Sequence, residues 1–240
     1  MSICFKLIVT LLILEYMVNA EGIIGGHEAK NHSRPYMVLL ELHSGKVIRY
    51  CGGFLIKSDF VMTAAHCQAE SYKVYLGLQV YPQLEGVQIL SVIREFLPKH
   101  HHMGKNDIML LKLSRKATID KKVKPILLAG QFNHMPSWCL VSGWGRTENS
   151  TALSNKLMEV NVMMVNDTLC DEEDMYCSTG WAGPGEGDSG GPLVCQNRKM
   201  VWKVYGVVSS NYQLCNSTTL HLYTKIGDKL EWIRKQYENN

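Results

Sequence analysis

The sequence predicts an all-β protein that ends in a single α-helix. Its 240 residues are 46% hydrophobic and 20% charged, which is an ordinary globular composition and enough for one large β domain or two small ones. Short apolar segments separated by glycine and polar residues recur along most of the chain. Helical spacing of apolar residues appears only at the C-terminus.

The short apolar segments have the length and composition of β-strands. The clearest examples are residues 36–40, 73–76, 108–113, 160–165 and 204–208. Many short strands at regular spacing favour a barrel or a sandwich, and the pattern alone leaves both open.

The C-terminal segment has the pattern of an amphipathic helix. Ile226, Leu230, Ile233 and Tyr237 fall at i, i+4, i+7 and i+11, which places them on one face. We expect this face to pack against the β domain.

Residues 1–20 have the pattern of a cleaved signal peptide. Lys6 is followed by the apolar run 7–14, and residues 18–20 end in the small-residue pattern of a cleavage site. The run is too short to span a bilayer, and no later segment is long and apolar enough to be a membrane anchor. We therefore expect a secreted protein from an oxidising compartment, where cysteines pair.

The cysteine count is odd once the signal is removed. Cys4 leaves with the signal, so at least one of the seven others is unpaired or pairs outside the chain. The seven are Cys51, Cys67, Cys139, Cys170, Cys177, Cys195 and Cys215.

Four N-x-S/T sequons are candidate glycosylation sites on exposed loops, although so short a pattern also occurs by chance. They begin at Asn31, Asn149, Asn166 and Asn216.

Charge and histidine content argue against two other functions. The net charge is only +3 and no basic run accompanies it, so nucleic-acid binding is not expected. Three consecutive histidines at 100–102 cannot all face one ion from a regular strand, and no acid or cysteine cluster accompanies them. We expect a solvated loop there, no metal site and no cofactor.

Three motifs carry the chemistry. His66 lies in Thr-Ala-Ala-His-Cys after the apolar segment 60–62, Asp107 precedes an apolar strand, and Ser189 lies in Gly-Asp-Ser-Gly-Gly-Pro. Each alone has an ordinary structural interpretation. Together, in the order His, Asp, Ser, they resemble the chymotrypsin-like serine proteases, and the resemblance runs from Ile23 to the C-terminal helix.

The resemblance implies a fold and a mechanism. Residues 23–240 would form two antiparallel six-stranded β-barrels, with a boundary near 125–138, the active site between them and a C-terminal α-helix. His66 would act as the base, Asp107 would orient its imidazole, and Ser189 would attack the peptide carbonyl. The backbone amides of Gly187 and Ser189 would form the oxyanion hole.

The resemblance also implies activation by processing. Mature proteases of this family begin with a segment like Ile23-Ile24-Gly25-Gly26, and the freed amine of Ile23 would pair with Asp188. Only the dipeptide 21–22 separates the signal from Ile23. A dipeptidyl peptidase is therefore the expected activator, and an unprocessed chain should be weakly active.

By the same resemblance, three disulfides are expected, and the bridge that usually flanks the substrate pocket is missing. Gly185 stands where its first cysteine belongs, which leaves Cys215 as the odd one. The implied pairs are Cys51–Cys67, Cys139–Cys195 and Cys170–Cys177.

The missing bridge and the short propeptide resemble the leukocyte-granule branch, which comprises granzymes, mast-cell chymases and cathepsin G. This branch implies granule storage, protein or peptide substrates and serpin-type inhibitors. A catalytically silent homologue that acts by binding or membrane perturbation is the alternative.

The substrate pocket departs from the family pattern. The position that holds an aspartate in trypsin-type enzymes is Gly183, so cleavage after Lys or Arg is not expected. An apolar P1 residue (the residue on the acyl side of the scissile bond) is favoured, and an acidic one is the alternative if His221 lines the pocket. The expected lining residues are Gly183, Pro184, Ser209, Ser210, Asn211 and His221.

Overall fold

The computed structural model describes residues 23–99, 106–131, 134–146, 152–172, 174–214 and 218–238. Within these ranges the chain forms thirteen strands and two α-helices. The strands are β1 (His27–Glu28), β2 (Met37–Ser44), β3 (Val47–Lys57), β4 (Phe60–Thr63), β5 (Ser71–Leu76), β6 (Gln88–Phe96), β7 (Met109–Leu113), β8 (Trp138–Gly143), β9 (Met158–Val165), β10 (Met175–Gly180), β11 (Pro192–Gln196), β12 (Trp202–Gln213) and β13 (Thr219–Lys225). The helices are α1 (Thr168–Glu172) and α2 (Leu230–Glu238).

The first half of the chain closes into a six-stranded antiparallel barrel in the order β2-β3-β4-β7-β6-β5. Its longest pairing is the β2–β3 hairpin, in register from Met37 opposite Phe54 to Ser44 opposite Val47. Met37 and Phe54 are both buried in the barrel interior. Apolar side chains along β2, β3, β4 and β7 fill this core.

The second half forms another six-stranded barrel. The sheet order is β9-β10-β13-β12-β11-β8, and closure comes from pairing of β8 with β9, from Trp138 opposite Met163 to Gly143 opposite Met158. The short strand β1 adds to β9 beside this barrel. A closed barrel leaves no unpaired edge of the kind that promotes aggregation.

The predicted strands are confirmed, and of the two architectures that the pattern left open the structure shows barrels. The five predicted segments lie largely within β2, β5, β7, β9 and β12. The described part of the connection from β7 to β8 comprises residues 114–131 and 134–137.

The C-terminal helix is shorter than its apolar pattern. Ile226 is buried but precedes a 3-10 turn, Gly227–Lys229, and α2 begins only at Leu230. Ile233 is buried, and the ring of Tyr237 packs edge-on against Phe60 of β4 at a centroid distance of 5.1 Å. The helix at the C-terminus therefore packs on the first barrel.

The described cysteines form three disulfides with the pairing implied by the resemblance. Each lies within one half of the molecule: one in the first barrel and two in the second. They are Cys51–Cys67, Cys139–Cys195 and Cys170–Cys177. Cys215 lies outside the described residues.

None of the helices in the described ranges is long and apolar enough to cross a membrane.

Candidate active site

His66 is held at the end of strand β4 in the first barrel. It lies in a 3-10 turn, Ala65–Cys67, that directly follows the buried strand end at Thr63 and Ala64. The disulfide from Cys67 to Cys51 ties this turn back to β3. The imidazole is partly exposed, so it can reach a substrate.

Asp107 holds His66 with two hydrogen bonds. The Nδ1 of His66 donates to Oδ2 of Asp107 at 2.8 Å, and the backbone N–H of His66 donates to Oδ1 at 3.0 Å. Because a carboxylate only accepts, the Nδ1 position carries the proton and Nε2 keeps its lone pair. The ring is therefore set up to take a proton through Nε2.

The second barrel completes the surroundings of Asp107. The Ser209 hydroxyl of β12 donates to Oδ2 at 2.5 Å, and the Thr224 hydroxyl of β13 donates to the Asp107 carbonyl at 3.1 Å. Burial opposes ionisation of this carboxyl, but the hydrogen bonds from His66 and Ser209 outweigh it and lower the pKa of Asp107. Asp107 thus stays ionised at neutral pH.

Ser189 comes from the second barrel and lies against the segment that carries His66. Its carbonyl accepts a hydrogen bond from the N–H of Gly52 at 2.8 Å and lies 3.7 Å from the Sγ of Cys67. Gly190 follows with φ +80°, and a Cβ there would lie 2.1 Å from the Thr63 hydroxyl. Only glycine permits this backbone approach between the barrels.

Asp188 is fully buried in the turn before the serine. Its Oδ1 accepts from the N–H of Gly145 at 2.7 Å, and its Oδ2 accepts from the N–H of Gly185 at 2.8 Å. No Lys, Arg or His within the described ranges forms a salt bridge with it. Burial raises the pKa of Asp188 to about 7, and the two N–H groups offset only part of this effect.

Ile23 lies in the core of the second barrel. Its side chain is fully buried, and the next residue, Ile24, forms two backbone hydrogen bonds of 3.0 Å with Gly183. Backbone hydrogen bonds therefore join the segment at the expected new N-terminus to Gly183, which is expected at the base of the substrate pocket.

A buried imidazole fills the space beside Gly183. A Cβ on that glycine would lie 2.4 Å from the Nε2 of His221, whose side chain is fully buried. The Nδ1 of His221 lies 2.9 Å from the Oδ1 of Asn211, and the Nδ2 of Asn211 donates to the Pro184 carbonyl at 3.3 Å. Burial lowers the pKa of His221, and the Gly180 carbonyl opposes only part of that shift.

Comparison with known proteins agrees with this geometry. A sequence model of the family described as Trypsin matches residues 23–233. The chain belongs to the trypsin family. It is 41% identical to granzyme-like protein 2 of Rattus norvegicus, over 91% of this chain and 92% of that protein.

Other relatives in the trypsin family lie in the same branch. The chain is 37% identical to mast cell protease 8 of Mus musculus, with 95% of this chain and 96% of that protein covered. A solved structure titled "Structure of GrC" matches with a TM-score of 0.78 and 32% identity, covering 90% of this chain and all of that one. The protein is a serine endopeptidase with granzyme and mast cell protease relatives.

Two residues around the trypsin-family site were not assigned their structural role from sequence. The sequence placed Ser209 in the substrate pocket but did not predict that its hydroxyl donates to Asp107, and Thr224 was not singled out. A single hydroxyl in a strand has no local pattern, so only the packing of the two barrels reveals the role.

The remaining candidates are placed as follows. Gly187 has φ +96° and lies in a tight turn closed by a 3.1 Å bond from the Asp188 N–H to the Gly185 carbonyl. Ser210 is exposed on β12. Asn31 and Asn166 are exposed, whereas sequons 149 and 216 and histidines 100–102 lie outside the described residues.

Proposed function

We propose that this chain is made as an inactive precursor and becomes a secreted serine endopeptidase through acyl-enzyme chemistry at His66, Asp107 and Ser189. The 2.8 Å bond from His66 to Asp107 carries this proposal, because it fixes the imidazole with Nε2 free to accept a proton. The carbonyl of Ser189 beside Cys67 supports the role of Ser189 as nucleophile.

Each residue has one role in the proposed reaction. Ser189 Oγ attacks the peptide carbonyl while His66 takes its proton, and His66 returns that proton to the leaving amine. Asp107 stabilises the imidazolium that forms. The backbone N–H groups of Gly187 and Ser189 stabilise the oxyanion, and one such donor typically contributes about 3 kcal/mol.

Activation follows from the buried Asp188. Removal of the signal 1–20 and of the dipeptide 21–22 frees the amine of Ile23, whose side chain is already inside the second barrel. The resulting cation would pair with the Asp188 carboxylate, which lacks a cationic partner among the described residues. A dipeptidyl peptidase would perform this step.

The pocket excludes cationic substrates. No carboxylate stands at Gly183, and the imidazole of His221 occupies the space beside it. A buried Lys or Arg would have no counter-charge, which is strongly unfavourable. We infer that the P1 residue is uncharged, within the apolar class that the sequence favours.

The relatives support the setting of the reaction. They include granzymes and mast cell proteases, so we propose storage in secretory granules, protein substrates and control by serpin-type inhibitors. Glycans at Asn31 and Asn166 would project from exposed positions.

A fluorophosphonate probe tests the proposal. Protein beginning at Ile23 should be labelled at Ser189, whereas the Ser189→Ala variant should not, and protein that retains residues 21–22 should be labelled far more slowly. A folded Ile23 form that resists labelling would contradict the proposal and favour the catalytically silent homologue.

A further inference from the structure

The turn between β11 and β12 carries a run of exposed apolar side chains. Met200 and Val201 of the turn are 69% and 41% exposed, and Trp202, the first residue of β12, is 40% exposed. Leu127 is also exposed, and its carbonyl accepts a hydrogen bond from the Val204 N–H at 3.0 Å, which places it next to this hairpin. Single exposed apolar residues are ordinary, but contiguous ones mark an interaction surface.

Hydrogen bonds within the turn hold it in one shape. The side-chain Oδ1 of Asn197 accepts from the N–H groups of Lys199 at 2.9 Å and Val201 at 3.0 Å. The Asn197 carbonyl accepts from the N–H of Met200 at 2.9 Å. Because these N–H groups are already paired, moving the turn from water into an apolar phase does not leave them without a partner.

Cations flank the apolar run, and no acid opposes them. Arg198 and Lys199 precede Met200, and Lys203 follows Trp202. None of these three cations forms a salt bridge with a described residue. The sequence contains no Asp or Glu from 189 to 227, so the positive charge of the turn is not compensated locally.

A cleft with an unused hydrogen-bond donor lies beside these cations. Arg198 and Lys199 line this cleft of about 750 Å³ together with Tyr205 and the segment 134–137. The Tyr205 side chain is buried, but its hydroxyl makes no hydrogen bond to a described residue. Burial raises the pKa of Tyr205, so the hydroxyl keeps its proton at neutral pH. Two cations and an O–H donor suit the oxygens of a phosphate group.

We propose that the β11–β12 turn binds the surface of an anionic phospholipid bilayer. The side chains of residues 200–202 enter the boundary between headgroups and acyl chains, and the cations beside them bind lipid phosphates. Each Lys or Arg near such a surface strengthens binding about fivefold. A soluble polyanion would use the charges alone, so the contiguous apolar side chains favour a membrane.

The turn is far from the catalytic residues. Ser209, which bonds to Asp107, lies on the same strand as Trp202, about 20 Å farther along at the rise of an extended chain. Changes in the turn should therefore leave hydrolysis of soluble peptides and labelling by the fluorophosphonate probe unchanged. Membrane binding and peptidase activity are separate claims with separate measurements.

Vesicle sedimentation tests the proposal with protein that begins at Ile23. We expect the protein to sediment with vesicles of phosphatidylcholine that contain about one third phosphatidylserine, and to stay in solution with phosphatidylcholine alone. Met200→Ser and Trp202→Ser should each weaken binding about fivefold or more. Ile93→Ser is the matched control, since Ile93 is 64% exposed on β6 of the first barrel, and it should bind like the parent.

A pair of double variants tests the charges. Arg198→Gln combined with Lys199→Gln should weaken binding to the anionic vesicles about twentyfold, at about fivefold for each charge. Lys46→Gln combined with Lys99→Gln removes the same net charge from exposed positions of the first half of the chain. This control should change binding little, because the two lysines lie outside the turn.

Fluorescence quenching measures insertion without relying on the serine variants. Brominated phosphatidylcholine mixed with phosphatidylserine should quench the tryptophan emission of the parent. Trp202→Phe should keep the binding and lose most of that quenching. Absence of vesicle binding, equal losses in the control variants, or binding that survives both Met200→Ser and Trp202→Ser would overturn the proposal, the last by assigning the turn to soluble polyanions. Failure of probe labelling in the parent would instead contradict the proposed function.

Discussion

Retaining the dipeptide 21–22 should make the folded protein less stable as pH rises, because Asp188 is then buried without a cation. Its folded pKa of about 7 lies above the usual 3.8. Between these values the unfolded chain has lost the proton while the folded chain keeps it, so the free energy of unfolding falls with rising pH.

The magnitude follows from the width of that window. About three pH units at about 1.4 kcal/mol each give a loss of about 4 kcal/mol, complete above pH 7 and absent below the unfolded pKa. Freeing the Ile23 amine supplies a cation that keeps Asp188 ionised in the folded state. The processed form should therefore not show this loss.

Urea unfolding between pH 5 and pH 8.5 measures the effect in both forms. The lowered pKa of His221 and that of His32 act in the opposite direction, but they are common to both forms and cancel in the difference. We expect the processed protein to gain stability over the precursor as pH rises. Parallel pH profiles for the two forms would refute the pairing of Ile23 with Asp188.

Three further substitutions test the site and the barrel interface. Ser189→Ala should abolish probe labelling while changing the free energy of unfolding by less than about 0.5 kcal/mol, checked on the same samples. Ser209→Ala removes a hydrogen-bond donor to Asp107 and should lower the free energy of unfolding by about 1–2 kcal/mol at pH 7. The lowered pKa of Asp107 stabilises the fold above the pKa of the unfolded chain, and this stabilisation is lost as pH falls. The variant should therefore unfold in acid at a higher pH than the parent. An unchanged acid limb would show that this bond does not hold the pKa down. Gly190→Ala should lower the free energy of unfolding by more than about 2 kcal/mol and slow labelling, because its Cβ would clash with Thr63 and the backbone would be strained. Gly45→Ala is the control: it also has a positive φ, +58°, but open space around it, so it should lower the free energy of unfolding by only about 1 kcal/mol. Equal costs for the two glycines would rule out the close approach of the barrels.

The catalytic residues could be predicted from sequence because their neighbours are constrained as well. His66 needs small residues around its turn, and the serine needs glycine at 190 for its close approach to the first barrel. Such constraints leave contiguous motifs. The partners Ser209 and Thr224 leave none, since each donates one hydrogen bond from a strand whose other residues are set by burial.

The closure of the barrels was also beyond the sequence pattern. Alternation of apolar residues predicts strands, but a sandwich and a barrel share that alternation. Closure requires β2 to pair with β5 as well as with β3 in the first barrel, and β8 to pair with β11 as well as with β9 in the second, and no alternation of apolar residues encodes these partners. Similarly, the apolar face beginning at Ile226 predicts the packing of the C-terminus but not the 3-10 turn that delays the helix to Leu230.

Each of the three disulfides joins residues of the same barrel, so no described covalent bridge spans the cleft. Contacts such as Gly52 with Ser189 hold the cleft itself, and the chain passes between the barrels first at 29–36 and then in the connection from β7 to β8. A single nick in that connection would leave a protein that migrates as two fragments on a denaturing gel without reductant. The same nicked protein could remain assembled and active in native buffer, with its base on one fragment and its nucleophile on the other.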